Sequence, residues 1–463
     1  VRVAAVVIRG DARNLPLPDG SVDLIVTSPP YFSLRSYIDA DGMHYDGQIG
    51  SETTPRQFID ALLACTVEWR RVLKPSGSMF INLGDTYSSW QGERKHHPRD
   101  LTGERASRGE GGGNLRSAPG VWGVPAKSLI GVPWRYALGC VDELGLILRR
   151  DIIWSKSNGI PESVKDRART AHEYIFHLTK QQRYFSAVDE IREDHAPESF
   201  ARFAPGQKQA GLSRRSNYGG QPAHTLSLEN SLHPLGRLPG SVWEFPVQPL
   251  VGPACRIVWD GRTIRWFGTW AEGEKHMRML AREWWSWPPG SGRPSLRSEA
   301  EHFAAFPMEL PRRIIQGWSP DGICVACGQG RRPVSVVTDK KATGYDTRIV
   351  PMSRDTVHGH DGRGGKKILT TRGITGYACD CPDTSAPTRP AVVLDPFGGT
   401  GCTAMVAAAN GRIGITVDYS HTYSRFARWR TSDASERAKA MQVRKPPPPP
   451  DPRQQPLFDM EEL

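Results

Sequence analysis

No run of apolar residues approaches the roughly 18 that a membrane-crossing helix requires, so no helical span is expected. Cysteine is sparse, with 8 in 463 residues, too few for a disulfide scaffold of this length. The opening Val1-Arg2-Val3 starts no signal peptide, and because it is not Met a true start a few residues upstream is expected. Together these absences point to a reducing, cytoplasmic setting. There is no internal repeat, which excludes a solenoid or a propeller. Hydrophobic residues make up 38%, enough for one good core but not for one that uses the whole length.

What the chain does have is loop-forming residues and positive charge. There are 47 Gly and 38 Pro, and the formal net charge is +11. An excess of that size suits a polyanionic partner, because neutralised phosphates release counterions; a merely basic surface would look the same by charge alone. Order and loop alternate along the sequence. Val3–Ile8 and Val22–Val26 read as buried strands, the second running into Thr27-Ser28-Pro29-Pro30-Tyr31. A helix follows over Thr54–Leu73, with Thr54 as N-cap, Pro55 at the first position and Gln57 closing a capping box. Phe58, Leu62, Trp69 and Leu73 recur on one helical face, and Lys74-Pro75-Ser76-Gly77 stops it. Met79–Leu83 is a strand leading to Gly84-Asp85. Residues 91–120 are polar and Gly-rich, expected as a surface loop. Leu129–Leu148 is expected to hold a helix and a strand, and Arg256–Trp266 a hairpin about Asp260-Gly261.

The clearest unit lies near the end. Val392–Asp395 feeds the turn Pro396-Phe397-Gly398-Gly399-Thr400-Gly401, Cys402–Ala409 is a helix, and Ile413–Val417 is the next strand, closed by Asp418. A strand, a glycine turn and a helix form the nucleotide-binding half of a doubly wound α/β sheet. Glycines let backbone pass close to a ligand, and the helix N-terminus favours negative charge. Asp418 is placed to accept hydrogen bonds from ribose hydroxyls. A tight turn that merely packs a helix on a sheet would carry similar glycines.

Asp395-Pro396-Phe397-Gly398-Gly399-Thr400-Gly401 resembles the S-adenosylmethionine motif of the DNA amino-methyltransferases, and Thr27-Ser28-Pro29-Pro30-Tyr31 resembles their catalytic motif. The catalytic motif comes first, as in the beta class. Glu162–Arg167, Ala171–Phe176 and His302–Pro307 are similar to family sequence as well. The resemblance implies a Rossmann-like, doubly wound mixed sheet of the class I methyltransferase type, with circularly permuted motif order. It implies methyl transfer from S-adenosylmethionine to an exocyclic base amine of double-stranded DNA. Ser-Pro-Pro-Tyr goes mostly with cytosine N4 and Asp-Pro-Pro-Tyr with adenine N6, so cytosine N4 is favoured and adenine N6 is the alternative. RNA or protein glutamine as substrate is a weaker reading, and a non-catalytic zinc-containing nucleic-acid-binding protein is the contrary one. The absence of a Pro-Cys motif speaks against methylation of cytosine C5.

The chemistry fits these residues. An exocyclic amine is a poor nucleophile, since its lone pair is delocalised into the ring. Ser28 Oγ and the Pro29 carbonyl offer acceptors for its protons, Pro29 and Pro30 bring no competing N–H, and Tyr31 offers a face for an extruded base. By resemblance, Asp11 lies beside the cofactor adenine, Phe397 lies against the cofactor, and His302, Phe303 and Phe306 belong to the segment that wraps its methionine end. Leu310, Ile314 and Ile315 read as packing residues. The family also implies a restriction-modification setting, acting alone or beside a cognate restriction enzyme, as monomer or homodimer.

Cys324-x-x-Cys327 and Cys379-x-Cys381 make a four-thiol set suited to structural Zn2+, with His358 and His360 as substitute ligands. Free thiols or an opportunistic disulfide are the alternatives. Cys65, Cys140, Cys255 and Cys402 read as core residues. The expected division is a catalytic half over 1–190, a loop-rich insert and candidate target-recognition region over 191–300, a cofactor-wrapping segment over 301–319, a zinc-binding insert over 320–385, a cofactor-binding half over 386–432 and a disordered Pro-rich tail over 433–463. Arg202, Lys208, Arg214, Arg215, Arg262 and Arg265, with Trp259 and Trp266, are candidates to touch DNA.

Overall fold

The computed structural model describes residues 4–32, 47–88, 124–159, 162, 164–196, 233, 235–247, 307–343, 367–383 and 385–442, with the strands 255–259, 262–267 and 295–298. Eight strands form one sheet: β1 (Ala5–Arg9), β2 (Val22–Thr27), β3 (Leu73–Leu83), β4 (Ile147–Ser155), β5 (His172–Thr179), β6 (Val242–Glu244), and, beyond the strands that lie outside it, β14 (Val392–Asp395) and β15 (Ile413–Asp418). Their order is β1-β15-β14-β2-β3-β5-β4-β6. Pairing is parallel from β1 to β3 and between β4 and β6, while β5 runs antiparallel to both its neighbours. This is the mixed, mostly parallel doubly wound sheet expected. All six residues of β2 are buried, the near-continuous apolar pattern of a strand covered on both faces. Asp23 interrupts that pattern, but its carboxylate is satisfied by Lys74 at 2.5 Å and by the Val392 N–H at 2.9 Å, which ties β2 to β3 and β14.

Helix α1 (Pro55–Val72) begins as its sequence dictates. Gln57 N–H donates to Thr54 Oγ1 at 3.2 Å, and Thr54 N–H donates to Gln57 Oε1 at 3.1 Å, closing the capping box. Its inner face places Phe58, Leu62, Trp69 and Val72 at 0% exposure in a core shared with Met79, Ile81 and Leu83 of β3 and with helix α2 (Val132–Asp142). Each fully buried apolar side chain of this kind contributes about 1.5–3 kcal/mol. The expected stop at Lys74–Gly77 is present as an irregularity inside β3: Val22 pairs with Leu73 and Leu24 with Ser78, so the intervening residues bulge away from β2.

The opposite face of the sheet is covered by α3 (Glu309–Trp318) and α4 (Cys402–Ala409), whose Leu310, Ile314, Met405 and Val406 pack with Leu24, Val26, Phe80 and Val393. Leu310, Ile314 and Ile315 are therefore packing residues, and Cys65, Cys140 and Cys402 are buried, as expected. The connections β2-α1-β3 and β14-α4-β15 thus lie on opposite faces and lead in opposite directions along the sheet. That makes the carboxyl ends of β2 and β14 the topological switch point, the crevice where doubly wound sheets bind ligands.

Outside the main sheet, β7 (Cys255–Trp259) pairs with β8 (Arg262–Phe267) in the expected hairpin, and β9 (Ser295–Ser298) adds a third strand. In the 320–385 region, β10 (Ile323–Cys324) pairs with β13 (Thr388–Arg389), and β11 (Arg332–Thr343) forms a twelve-residue ribbon with β12 (Lys367–Ala378). Backbone pairing gives order to a segment whose composition reads as loop. After α5 (His421–Ser432), residues expected to open the tail form α6 (Ala434–Ala440), started by Asp433, whose side chain accepts from Glu436 N–H at 2.9 Å. The expected loop at 91–120 falls outside the described residues. No helix among the described residues is long and apolar enough to cross a membrane.

Candidate active site

Asp395 closes β14 beside the end of β2, and its buried carboxylate joins the two turns singled out in the sequence. Oδ1 accepts from Thr27 Oγ1 at 2.7 Å and from Phe397 N–H at 3.1 Å, and Oδ2 accepts from Thr403 Oγ1 at 2.8 Å. Burial pushes its pKa up to about 6, against the pull of those three donors. The glycine turn is folded tightly on the sheet. Gly401 sits at φ +75° and Gly399 at +48°, and a Cβ on Gly398 would fall 1.4 Å from Thr416 Oγ1, so the glycines are required by the turn's own geometry. Gly399 N–H donates to Asp418 Oδ2 at 2.8 Å, and Ser420 N–H donates to Oδ1 at the same distance. These two bonds hold the Asp418 carboxylate at the end of its strand, beside the glycine turn. Pro396 is buried, and half-buried Phe397 meets the Trp69 ring edge-on at 5.8 Å.

Thr400 is held from behind. Arg430 Nη1 donates to its Oγ1 at 2.9 Å, and Arg430 in turn pairs with Glu436 at 3.0 Å, both side chains being buried. Helix α6 is thereby part of the support of the turn, a role with no local signal in the sequence. Asp11 follows β1, which borders β15, and Gly10 N–H reaches the Asp418 carbonyl at 3.0 Å. Asp11, Phe397 and Asp418 therefore share one edge of the sheet. The Asp11 carboxylate is gripped by Arg13 through Nε and Nη2 at 3.0 and 2.7 Å. Burial works to raise its pKa, yet the hydrogen bonds and charge of Arg13 hold it below the ordinary aspartate range. His302, Phe303 and Phe306 lie outside the described residues.

On the β2 side, Ser28, Pro30 and Tyr31 are half-buried and Pro29 is buried. The Tyr31 hydroxyl donates to Glu173 Oε2 at 2.5 Å. Asn82 Nδ2 lies 2.7 Å from that same oxygen, 2.9 Å from the Tyr31 hydroxyl and 3.4 Å from Ser28 Oγ. Lys156 pairs with Glu173 Oε1 and stands 5.0 Å above the Trp154 ring. The Tyr31 ring lies against bare backbone: a Cβ on Gly84 would come within 2.8 Å of its Cε2. Asn82, Lys156 and Glu173 are site residues that sequence reasoning missed as individuals. Each ends or opens a strand at the carboxyl edge, so the available signal was a polar residue at a strand terminus on the side of the Ser28–Tyr31 turn. Asp85, also at that edge, instead caps α2, accepting the N–H groups of Gly131 and Val132 at 3.0–3.1 Å.

The four paired cysteines converge. The Sγ atoms of Cys324, Cys327, Cys379 and Cys381 all lie within 4.8 Å of one another, with Cys327 and Cys379 3.6 Å apart. A tetrahedron of thiolates about Zn2+, with bonds of about 2.3 Å, has S···S edges of about 3.8 Å. The Cys324 thiol is pulled down to about 6, chiefly by the Cys327 N–H. Donor type, number and spacing thus fit a closed metal site; His358 and His360 lie outside the described residues. So do Arg202, Lys208, Arg214 and Arg215, while Trp259, Arg262, Arg265 and Trp266 are placed only by the backbone of β7 and β8.

The chain is similar to the Type II methyltransferase M.Cfr9I of Citrobacter freundii, 38% identical over 196 residues that make up 41% of this chain and 59% of that protein. It is 40% identical over 186 residues to the Type II methyltransferase M.XycI of Xanthomonas campestris pv. cyanopsidis, covering 40% of this chain and 57% of the relative. The chain therefore spans less than two thirds of the length of these relatives. The solved structure of PvuII DNA methyltransferase (cytosine-N4-specific) aligns over 95% of this chain and 93% of its own, with a TM-score of 0.44 and 14% identity. A family model described as DNA methylase matches residues 22–326, a span that holds the Ser28–Tyr31 turn together with Asn82, Lys156 and Glu173. With well over half of its length matched, the chain belongs to the N6/N4 DNA methylase family.

Proposed function

We propose that the protein transfers a methyl group from S-adenosylmethionine to an exocyclic amine of a base flipped out of double-stranded DNA, and that the base is cytosine, methylated at N4. The observation that carries this reading is the 2.7 Å bond between Thr27 and Asp395, which brings the end of the catalytic turn's strand against the head of the glycine turn. S-adenosylmethionine supplies an electrophilic methyl group. The residues that would hold it are Asp11, Phe306, Asp395, Pro396, Phe397, Gly398, Gly399, Thr400, Gly401 and Asp418. Asp418, at the end of its strand, is assigned to accept from ribose hydroxyls, and Phe397 offers an aromatic edge.

Ser28, Pro29, Pro30 and Tyr31 are assigned the chemistry. Ser28 Oγ and the Pro29 carbonyl would accept hydrogen bonds from the base amine, which localises its lone pair toward the methyl donor, and Tyr31 would stack the base; as the N–C bond forms the S–C bond breaks, leaving S-adenosylhomocysteine, and one amine proton passes to solvent. The preference for cytosine N4 rests on serine in place of aspartate at position 28. The four cysteines are assigned a structural Zn2+, closed by four thiolates with no position open to substrate.

Incubation of the purified protein with tritiated S-adenosylmethionine and duplex DNA, followed by nucleoside analysis, tests the reading. Label in N4-methylcytosine is expected. Label in N6-methyladenine would overturn the choice of base, and folded, cofactor-binding protein that leaves DNA unlabelled would overturn the reaction. For the metal, about one Zn per chain is expected by elemental analysis, lost in a Cys327→Ser, Cys379→Ser protein.

A further inference from the structure

Two strands and one turn direct their donors at a single carboxylate carried by a third strand. Glu173 sits at the start of β5, 8% exposed, and receives the Tyr31 hydroxyl, the Asn82 amide and the Lys156 ammonium. Burying an anion without such partners is costly, and here the Lys156 charge and two neutral donors compensate it. Asn82 shows which way the balance falls. Its Nδ2 carries two hydrogens but has three oxygens in reach, at 2.7 Å in Glu173, 2.9 Å in Tyr31 and 3.4 Å in Ser28. A carboxylate is the strongest acceptor of the three, so Ser28 is served last. Turning the amide over would set its oxygen against the Glu173 oxygen, which fixes the orientation. In that orientation Asn82 Oδ1 is buried without a partner among the described residues. A buried orphan acceptor is uncommon and costly, and its retention beside the Ser28–Tyr31 turn marks the nitrogen's contacts as the ones that matter.

We propose that Glu173 is a positioning residue of the methyl-transfer site: it accepts the Tyr31 hydroxyl hydrogen and one Asn82 amide hydrogen, the other lying toward the Tyr31 oxygen, which fixes the aromatic ring and leaves Ser28 Oγ lone pairs to accept from the base amine. This rests on the reading under Proposed function. The ring is then held at both ends of its freedom, by the bond at its hydroxyl and by the bare Gly84 backbone at its edge. A base arriving on it meets a surface already ordered, with no rotamer entropy left to lose. Lys156 closes the arrangement from the far side, where it neutralises the carboxylate through Oε1.

The test is a double-mutant cycle on Glu173→Gln and Tyr31→Phe, read as kcat and KM for tritiated methyl transfer to duplex DNA. Glu173→Gln keeps the shape but cannot accept from both donors with a charged oxygen. Its kcat should fall about 10- to 100-fold, the worth of a hydrogen bond to a charged group, with KM for S-adenosylmethionine within about twofold. Tyr31→Phe keeps the ring and removes the hydroxyl with its bonds to Glu173 and Asn82, and kcat should fall several-fold. The double variant should be no slower than Glu173→Gln by more than about twofold, because both changes break one unit. Multiplied losses in the double variant would overturn the proposal, as would an unchanged kcat in Glu173→Gln. Should Glu173→Gln fail to fold by circular dichroism, an unchanged kcat in Tyr31→Phe overturns it and a several-fold fall supports it. Transfer by the wild type with multiplied losses would sink only the role of Glu173; no transfer by the wild type would sink the proposed function with it.

Discussion

Thr27 and Asp395, 368 residues apart in sequence, share a buried hydrogen bond of 2.7 Å at the carboxyl edge of the central sheet. Thr27→Val keeps the volume of the side chain and leaves Asp395 Oδ1 one donor short. A loss of about 1.5–3 kcal/mol in unfolding free energy is expected, the range for a hydrogen bond to a charged group. Methyl transfer should fall as well, since the two turns lose their direct tie. Urea denaturation and single-turnover rates measure the pair of effects, and a variant as stable and as fast as the wild type would show that the bond positions nothing.

Two buried groups should tilt the pH dependence of stability in opposite senses. His177 stacks on Phe80 at 4.3 Å, and burial first, then the Arg149 charge, lower its pKa to about 3. A base depressed in the folded state contributes stability above its unfolded pKa of about 6.5, lost as pH falls toward 3. By pH 5 this amounts to about 2 kcal/mol, at about 1.4 kcal/mol per pH unit. Asp395 runs the other way: raised to about 6, it favours the fold below about pH 4 and loses that contribution as pH climbs through 6. Relative to wild type, His177→Gln should therefore lose less stability between pH 7 and 5, and Asp395→Asn less between pH 4 and 7. Parallel stability curves for variant and wild type would refute the corresponding assignment.

Gly84→Ala probes Tyr31 without touching it. The added methyl would lie 2.8 Å from Cε2, closer than carbon atoms approach, so the ring must tilt or the strand must move. Methyl transfer is expected to drop about tenfold or more, in line with the cost of a slight misplacement at a reacting site, while S-adenosylmethionine binding by calorimetry stays within about twofold. Equal loss of both would place the glycine in general packing instead.

Arg430→Met should act on the opposite half of the site. It removes the donor to Thr400 and leaves Glu436 with Lys439 as its remaining cation, so a loss below the roughly 3–5 kcal/mol of a fully broken buried ion pair is expected. Weaker S-adenosylmethionine binding is expected, more than tenfold, in protein that remains folded at low temperature. A second change, Glu436→Leu, should restore much of the stability but not the affinity, because Thr400 is still unsupported. Recovery of both would mean that the ion pair matters for the fold alone.

Much of this was legible in the residue order. The capping box at Thr54 and Gln57, the strand–turn–helix at 392–409 and the hairpin flanking Asp260-Gly261 are written within about twenty residues, where periodicity, caps and turn glycines decide conformation. The order of the two motifs, read as family resemblance, implied the sheet as well. The spacing of cysteines named the four that meet, though not that a long β ribbon joins the two pairs.

Tertiary structure alone decided what each polar residue does once the strands are side by side. Asn82, Lys156 and Glu173 end or open three different strands, and nothing local distinguishes them from other polar residues; only the order β2-β3-β5-β4 brings their heads together at the one carboxylate. The same holds for Arg430 and Glu436 behind Thr400, and for Arg13 on Asp11. Hydrogen bonds and ion pairs act over about 3 Å, a distance the sequence does not encode for residues tens or hundreds of positions apart. Backbone preference and apolar burial, which are local or averaged over many residues, could be read in advance; the pairing of individual charges had to wait for the fold.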